Sequence, residues 1–121
     1  MRVLLVEDGS GANGGITQAM KTAGFTVDHV TCGEDAIGML RGYDYDLAIL
    51  ELMLPDMEGY EVVRRIRNAR IDTPVIILSS LTRPQAKVKA FSVGADDYLT
   101  RPVDQEELVA RMLAILRRSK G

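Results

Sequence analysis

The stretch LAILELMLPDMEG, Leu47 to Gly59, decides how the rest of the chain folds. Its first four residues form a short apolar run that reads as a buried strand. One acid, Glu51, stands at the strand's end, and Pro55 and Gly59 follow before a helix that starts near Glu58. A strand tip that opens into a loop is where α/β proteins place chemistry, because the sheet fixes the side chain and the loop leaves it accessible. A lone carboxylate there means little, so the question becomes what other strands deliver to the same edge.

Working outward, Arg2 to Val6 reads as a first strand ending in Glu7 and Asp8, followed by the glycine-rich GSGANGG of residues 9–15. A helix through Ala23 stops at Gly24. Thr26 to Val30 alternates as a half-buried strand does, and Cys32 to Arg41 is a helix with Ala36, Ile37, Met39 and Leu40 inward. The third helix runs from about Glu58 to Arg70, with Val62, Val63 and Ile66 apolar and Arg64, Arg65, Arg67 and Arg70 outward. Pro74 to Leu78 is a continuous apolar strand, to be covered on both faces. A fourth helix follows Pro84 and ends at Gly94. The short strand Asp97 to Thr100 precedes a helix opened by Asp104, with Glu107 placed as in a capping box, that continues to about Arg118. Five strands alternating with five helices through short loops predict a parallel, doubly wound three-layer α/β sandwich.

The whole chain has 121 residues, 46% of them apolar and 26% charged, which fits one ordinary globular domain. We take residues 1–118 as that domain and 119–121 as the start of a linker. A formal net charge of −2 gives no general attraction for nucleic acid or an anionic membrane. Any DNA contact is expected from a domain outside this chain or from the basic tail Arg117, Arg118 and Lys120. Cys32 is the sole cysteine, so neither a disulfide nor a cysteine metal site forms within a monomer. No signal peptide or long apolar run is visible, and a cytoplasmic location is expected.

The strand tips carry Glu7 and Asp8, then Glu51, then Ser79 and Ser80, then Thr100, Arg101 and Pro102. Three carboxylates, hydroxyls and a cation thus converge on one edge. Hard oxygen ligands with no His or Cys suit Mg2+. The glycines Gly9, Gly11 and Gly14 have the spacing of a dinucleotide fingerprint. That reading is rejected, because Glu7 and Asp8 would face the pyrophosphate and the chain is too short for the two-half fold. The glycines instead delay the first helix. His29, in an alternating strand with no acid near it in sequence, reads as a plain strand residue.

The segments VLLVED, the E-x-x-x-P-x-x-x-G spacing of Glu51, Pro55 and Gly59, PVIILSS and GADDYLTRP together resemble the receiver domains of bacterial two-component response regulators, along the whole length. Within that family the chain is similar to the winged-helix transcription factor class. YDYDLAIL, LPDMEGYEV and RRSKG resemble the CtrA-type cell-cycle regulators. The resemblance implies a flavodoxin-like fold with sheet order 2-1-3-4-5 and a Mg2+ site drawing on Glu7, Asp8, Glu51 and Met53. It also implies a phosphoacceptor at position 51, a switch pair in Ser79 and Tyr98, and a phosphate-pairing cation at position 101. A histidine kinase or phosphotransferase would be the upstream partner.

Two residues depart from the family pattern: Glu51 replaces its acceptor Asp, and Arg101 its Lys. Phosphoryl transfer rests on positioning and charge neutralisation. One added methylene moves the acceptor oxygen by roughly 1 Å, against a tolerance of ~0.5 Å in a preorganised site. A misplacement of about 1 Å costs on the order of 100-fold in rate. Arg presents a planar fork where Lys presents a point charge. A longer acid reaching a forked cation makes an ion pair with no phosphate. The expectation is a poorly phosphorylated or unphosphorylated, non-enzymatic receiver with weak or absent Mg2+, acting through a fixed conformation or by binding. A conventional phosphoacceptor receiver stays open as the alternative, as does a mimic of the phosphorylated state. A small nucleotide-binding α/β domain is a remoter one.

The last helix carries Leu108, Val109, Met112, Leu113, Ile115 and Leu116, more than one sheet-facing stripe needs, so the surplus reads as an interface. The resemblance implies a homodimer through helix 4, strand 5 and helix 5, pairing Lys89 with Glu107, Asp97 with Arg111, and Asp96 with Arg118. Internal pairs on a solvated face are the competing reading.

Overall fold

A computed structural model describes residues 1–9 and 15–120. Along the chain run β1 (Arg2–Val6), α1 (Ile16–Thr22), β2 (Thr26–Val30), α2 (Gly33–Gly42), β3 (Leu47–Glu51), α3 (Gly59–Asn68), β4 (Val75–Ser79), α4 (Pro84–Val93), β5 (Asp97–Thr100) and α5 (Gln105–Lys120). The strands form one parallel sheet in the order β2-β1-β3-β4-β5, as predicted. Of the glycine fingerprint, Gly11 and Gly14 lie outside the described residues; α1 opens only at Ile16, after Gly15 in the left-handed region at φ 84°.

Strand alternation separates two apolar layers. Leu4, Val6, Ala48, Leu50, Val75 and Ile77 face α2, α3 and α4, while Val3, Leu5, Leu47, Ile49, Ile76 and Leu78 face α1 and α5. β1, β3 and β4 are therefore apolar on both sides, which the covered centre of a parallel sheet requires. Burial on that scale, at roughly 25 cal/mol per Å² of apolar surface, is what makes the strand tips a rigid frame.

Several boundaries differ from the sequence reading. β4 begins at Val75 rather than Pro74, since proline has no N–H for the ladder, and it extends to Ser79. α3 stops at Asn68; Arg70, at φ 62°, has left the helix. α5 continues to Lys120, past Arg118, with the Ser119 hydroxyl donating to the Leu116 carbonyl at 3.1 Å. Asp104 caps α5 by accepting from the Glu106 N–H at 2.9 Å. The capping box itself does not close, because Glu107 turns to Arg111 instead.

Arg67, expected outward, is turned in. Its guanidinium donates to the carbonyls of Gly94 and Ile71 and to Asp96 at 2.8–3.2 Å, tying α3 to the entry of β5. At the same lower edge, the Tyr45 hydroxyl donates to Asp28 at 2.7 Å. Burial, helped by that carboxylate, pushes the Tyr45 phenol up to about 12.

Candidate functional site

The four predicted strand tips do share one edge. β3 ends in Glu51, opposite Leu78 of β4, and Ser79 pairs in register with Thr100 of β5. The Arg101 N–H donates to the Ser79 carbonyl at 2.8 Å, which extends the β4–β5 pairing one residue beyond the strand and fixes where the guanidinium starts.

From there Arg101 reaches Glu51. Nε donates to Glu51 Oε2 at 3.1 Å, and Nη2 donates to the same oxygen. The fork thus closes on one oxygen rather than spanning both. The side chains of Arg101 and Glu51 are only 17% and 19% exposed, so the pair is screened less than a surface salt bridge. The expected direct contact between these two residues is present.

The second acid is also engaged. Glu7 is 3% exposed, its N–H held by the Val30 carbonyl at 3.1 Å, and its Oε1 lies 3.3 Å from His29 Nε2. His29, read from sequence as a plain strand residue, is the neighbour that β1–β2 pairing brings to Glu7. Leu5 stands opposite His29, two residues before the acid. Asp8 is exposed on the same edge, and Met53 is exposed in the loop after β3, bridged to Glu58. The donor set implied for Mg2+ was Glu7, Asp8, Glu51 and Met53. Of these, Glu51 is turned to Arg101 and Glu7 to the His29 imidazole, and among the described residues no three acids, histidines or cysteines are grouped to hold a metal ion.

The loop after β3 is pinned at two points. Gly59 approaches so closely that a Cβ there would stand 2.8 Å from the Glu51 carbonyl oxygen, and its N–H donates to Leu52. Glycine is needed for that approach. Asp56 accepts from the N–H groups of Gly33 and Glu34 at 2.8 and 3.0 Å, capping α2 from another loop. Those two backbone donors hold its carboxyl below the ordinary aspartate range. Sequence reading missed this cap, whose partners lie more than 20 residues away.

The two residues expected to form a switch pair, Ser79 and Tyr98, meet at Leu81. Ser79 Oγ accepts from the Leu81 N–H at 3.0 Å, and the Tyr98 hydroxyl donates to the Leu81 carbonyl at 2.8 Å. Tyr98 is only 6% exposed.

The proposed dimer residues are largely occupied within the chain. Arg111 contacts Asp97 at 3.2 Å and Glu107 at 3.0 Å, and these acids, Glu107 foremost, raise its affinity for the proton. Asp96 takes Arg67 at 3.2 Å and the Val75 N–H at 2.9 Å; Arg118 is exposed. Lys89 requires a correction of placement: its Nζ lies 4.6 Å from the Tyr60 ring centroid, on the α3 flank of α4. Lys87, two residues back and about 200° round the helix from Lys89, is exposed, as are Val88 and Phe91. The apolar surplus of α5 needs a second correction. Val109 and Leu113 line a groove with α1, on the flank away from β5.

Residues 3–113 match the family model of the response regulator receiver domain. The cell cycle transcriptional regulator CtrA of Caulobacter vibrioides is 47% identical over 121 residues, covering 100% of this chain and 52% of that protein. The cell cycle response regulator CtrA of Brucella ovis is 46% identical with the same coverage. The chain therefore spans about half the length of the curated relatives it matches. A crystal structure of a two-component response regulator from Clostridium difficile aligns with a TM-score of 0.92 at 29% identity, over 100% of this chain and 99% of that one. With a family match over nearly the whole chain and the same strand order, this chain belongs to the response regulator receiver domains and is related to the CtrA transcriptional regulators.

Proposed function

We propose that this receiver works without efficient phosphoryl transfer at residue 51, held in one conformation by the Glu51–Arg101 pair. The single observation that carries the reading is the guanidinium fork on Glu51 Oε2. A carboxylate that must attack phosphorus needs a lone pair free and its charge neutralised by a metal ion on the phosphate side. Here a permanent cation supplies the neutralisation, and Mg2+ binding is weak or absent as a consequence. The domain is then a non-enzymatic signalling module, and a histidine kinase or phosphotransferase would dock without transferring.

The output edge is α4–β5–α5, through which two copies pair and regulate transcription, in the cytoplasm, through a DNA-binding domain outside these residues. Exposed Val88 and Phe91 supply apolar contact there. Lys87 takes the part first assigned to Lys89, facing Glu107 of the other copy. The internal Arg111–Asp97 bond is weak enough at a 43% exposed guanidinium to exchange for the same bond across a twofold axis. No described helix is long and apolar enough to cross a membrane.

Incubation with acetyl phosphate and Mg2+, followed by intact mass measurement, tests the central point. The chain is expected to keep its mass. A stoichiometric gain of about 80 Da, one phosphoryl group, on residue 51 overturns the reading in favour of a conventional phosphoacceptor.

A further inference from the structure

The lower edge of the sheet, at the opposite end of the strands from Glu51, carries a polar hollow that the signalling role above does not use. Helices α2, α3 and α5 finish at this edge, since each runs antiparallel to the strands it covers. Their last carbonyls make the edge negative. Between the end of α2 and the starts of β3 and β4 the hollow opens to about 530 Å³, within the range of about 300–1,000 Å³ usual for ligand sites. Asp44, Asp46 and Asp72 line it, with Arg41 as the one cation among its lining residues. Asp46 is already used, accepting from the Arg2 N–H at 2.8 Å. Asp44 and Asp72 are exposed and accept no hydrogen bond from the described residues.

Exposed acids alone are ordinary solvated surface. Thr73 is the observation that points to a ligand. It is 9% exposed and lines the same hollow, and its hydroxyl has no hydrogen-bond partner among the described residues. Its oxygen keeps contact with the hollow rather than being sealed into the core. Buried hydroxyls are normally bonded, so this one is set to meet a group that enters from outside. Tyr43, 64% exposed, is the wall between this hollow and a second one of about 470 Å³ that Asp44 also lines.

These groups fit one kind of cation. A bare metal ion needs its acids drawn together, and among the described residues none are grouped that closely. A guanidinium stacks flat on an aromatic ring, forks onto a carboxylate and keeps further N–H donors for a hydroxyl. Tyr43, the two uncommitted acids and Thr73 offer those three contacts in one place. The second hollow across Tyr43 continues the surface, which gives a polypeptide room to lie along it where a free small cation would fill one side only.

We infer that the lower hollow docks an arginine-bearing segment of a partner protein. The guanidinium lies between the Tyr43 ring and the carboxylates of Asp44 and Asp72, with the Thr73 hydroxyl accepting one of its N–H groups. The site is at the far end of the strands from Glu51 and Arg101, so it does not depend on how residue 51 behaves.

The experiment titrates the isotope-labelled chain with the end-blocked tetrapeptide Gly-Arg-Arg-Gly and follows backbone amide shifts. Shifts are expected at residues 41–46 and 71–73, saturating in the low millimolar range or below. Asp72→Asn and Asp44→Asn should each weaken binding by at least about fivefold, and Tyr43→Ala by about threefold. Asp35→Asn, the same charge change at the other end of α2, should leave it unaltered. Thr73→Val should weaken binding while the melting temperature does not fall, because its hydroxyl bonds nothing in the folded chain. Absence of shifts at these residues overturns the inference. So does equal binding of Gly-Lys-Lys-Gly, the same shifts with Mg2+ alone, or an Asp35→Asn loss as large as that of Asp72→Asn. A fall in melting temperature for Thr73→Val with binding intact would show that the hydroxyl serves the fold, and overturns it as well.

Discussion

The reach of one side chain decides the site. Glu51 is longer than the family's acceptor by a methylene, and Arg101 starts from a backbone held to Ser79, so the two meet across β4. This meeting was legible in the sequence, because topology alone puts the ends of β3 and β5 on one edge and opposite charges do the rest. The His29–Glu7 contact was not legible. It depends on the register of β1 against β2, and the alternation of TVDHV only says which face each residue takes. The energetics of the Glu51–Arg101 pair follow from its partial burial. Removing one partner leaves the other's charge poorly solvated, so Arg101→Met is expected to lower stability by about 1–3 kcal/mol in urea titration. Glu51→Gln combined with Arg101→Met should recover most of that loss. An additive double-mutant cycle would show that the contact contributes nothing specific.

Among the elements, β1, β2 and β5 were readable to the residue, because short apolar or alternating runs bounded by Asp, Gly or Thr leave little choice of end. What escaped the sequence is what joins one element to another. Asp56 reads as a loop residue in LPDMEG, yet it serves as the cap of α2, whose own preceding residue, Cys32, makes no side-chain cap. Arg67 reads as one more outward arginine on a basic helix, yet three of its bonds go to backbone carbonyls on other segments and at its own helix's end. Both are local sequence positions with distant partners, which periodicity does not report. The cap makes a pH-dependent expectation. Asp56→Ala should cost about 1 kcal/mol at neutral pH, the usual loss for a helix N-cap. The folded-state pKa of Asp56 is depressed by the Gly33 and Glu34 N–H groups, so its stabilisation is full above the unfolded value of about 3.9. It is lost as pH falls through the lower folded value. The gap in melting temperature between the native chain and Asp56→Ala should therefore narrow below that unfolded value. A gap constant across the acid range would show that the carboxylate's charge plays no part.

Across the whole molecule, the rim of the sheet and the α4–β5 edge are joined through one residue, Leu81. Its N–H is held by Ser79 Oγ and its carbonyl by the Tyr98 hydroxyl. Tyr98 is already packed inside, against the same apolar layer as α3 and α4. A receiver that switches must have a second arrangement of this loop to move to, and a ligand shifts the balance only if it binds the two arrangements differently. If the Arg101–Glu51 pair holds as proposed, a phosphate analogue has no differential affinity to apply. Hydrogen exchange should then be the same in α4 and β5 with and without beryllofluoride and Mg2+. Glu51→Asp with Arg101→Lys shortens the acid and replaces the fork by a point charge, which leaves room for the analogue between them. In that variant the analogue should slow exchange at the backbone N–H groups of positions 81 and 101, the two donors bonded to Ser79 in the native chain. A native chain that responds to beryllofluoride as the double variant does would mean that the ion pair opens readily, and that the rim is a working phospho-switch.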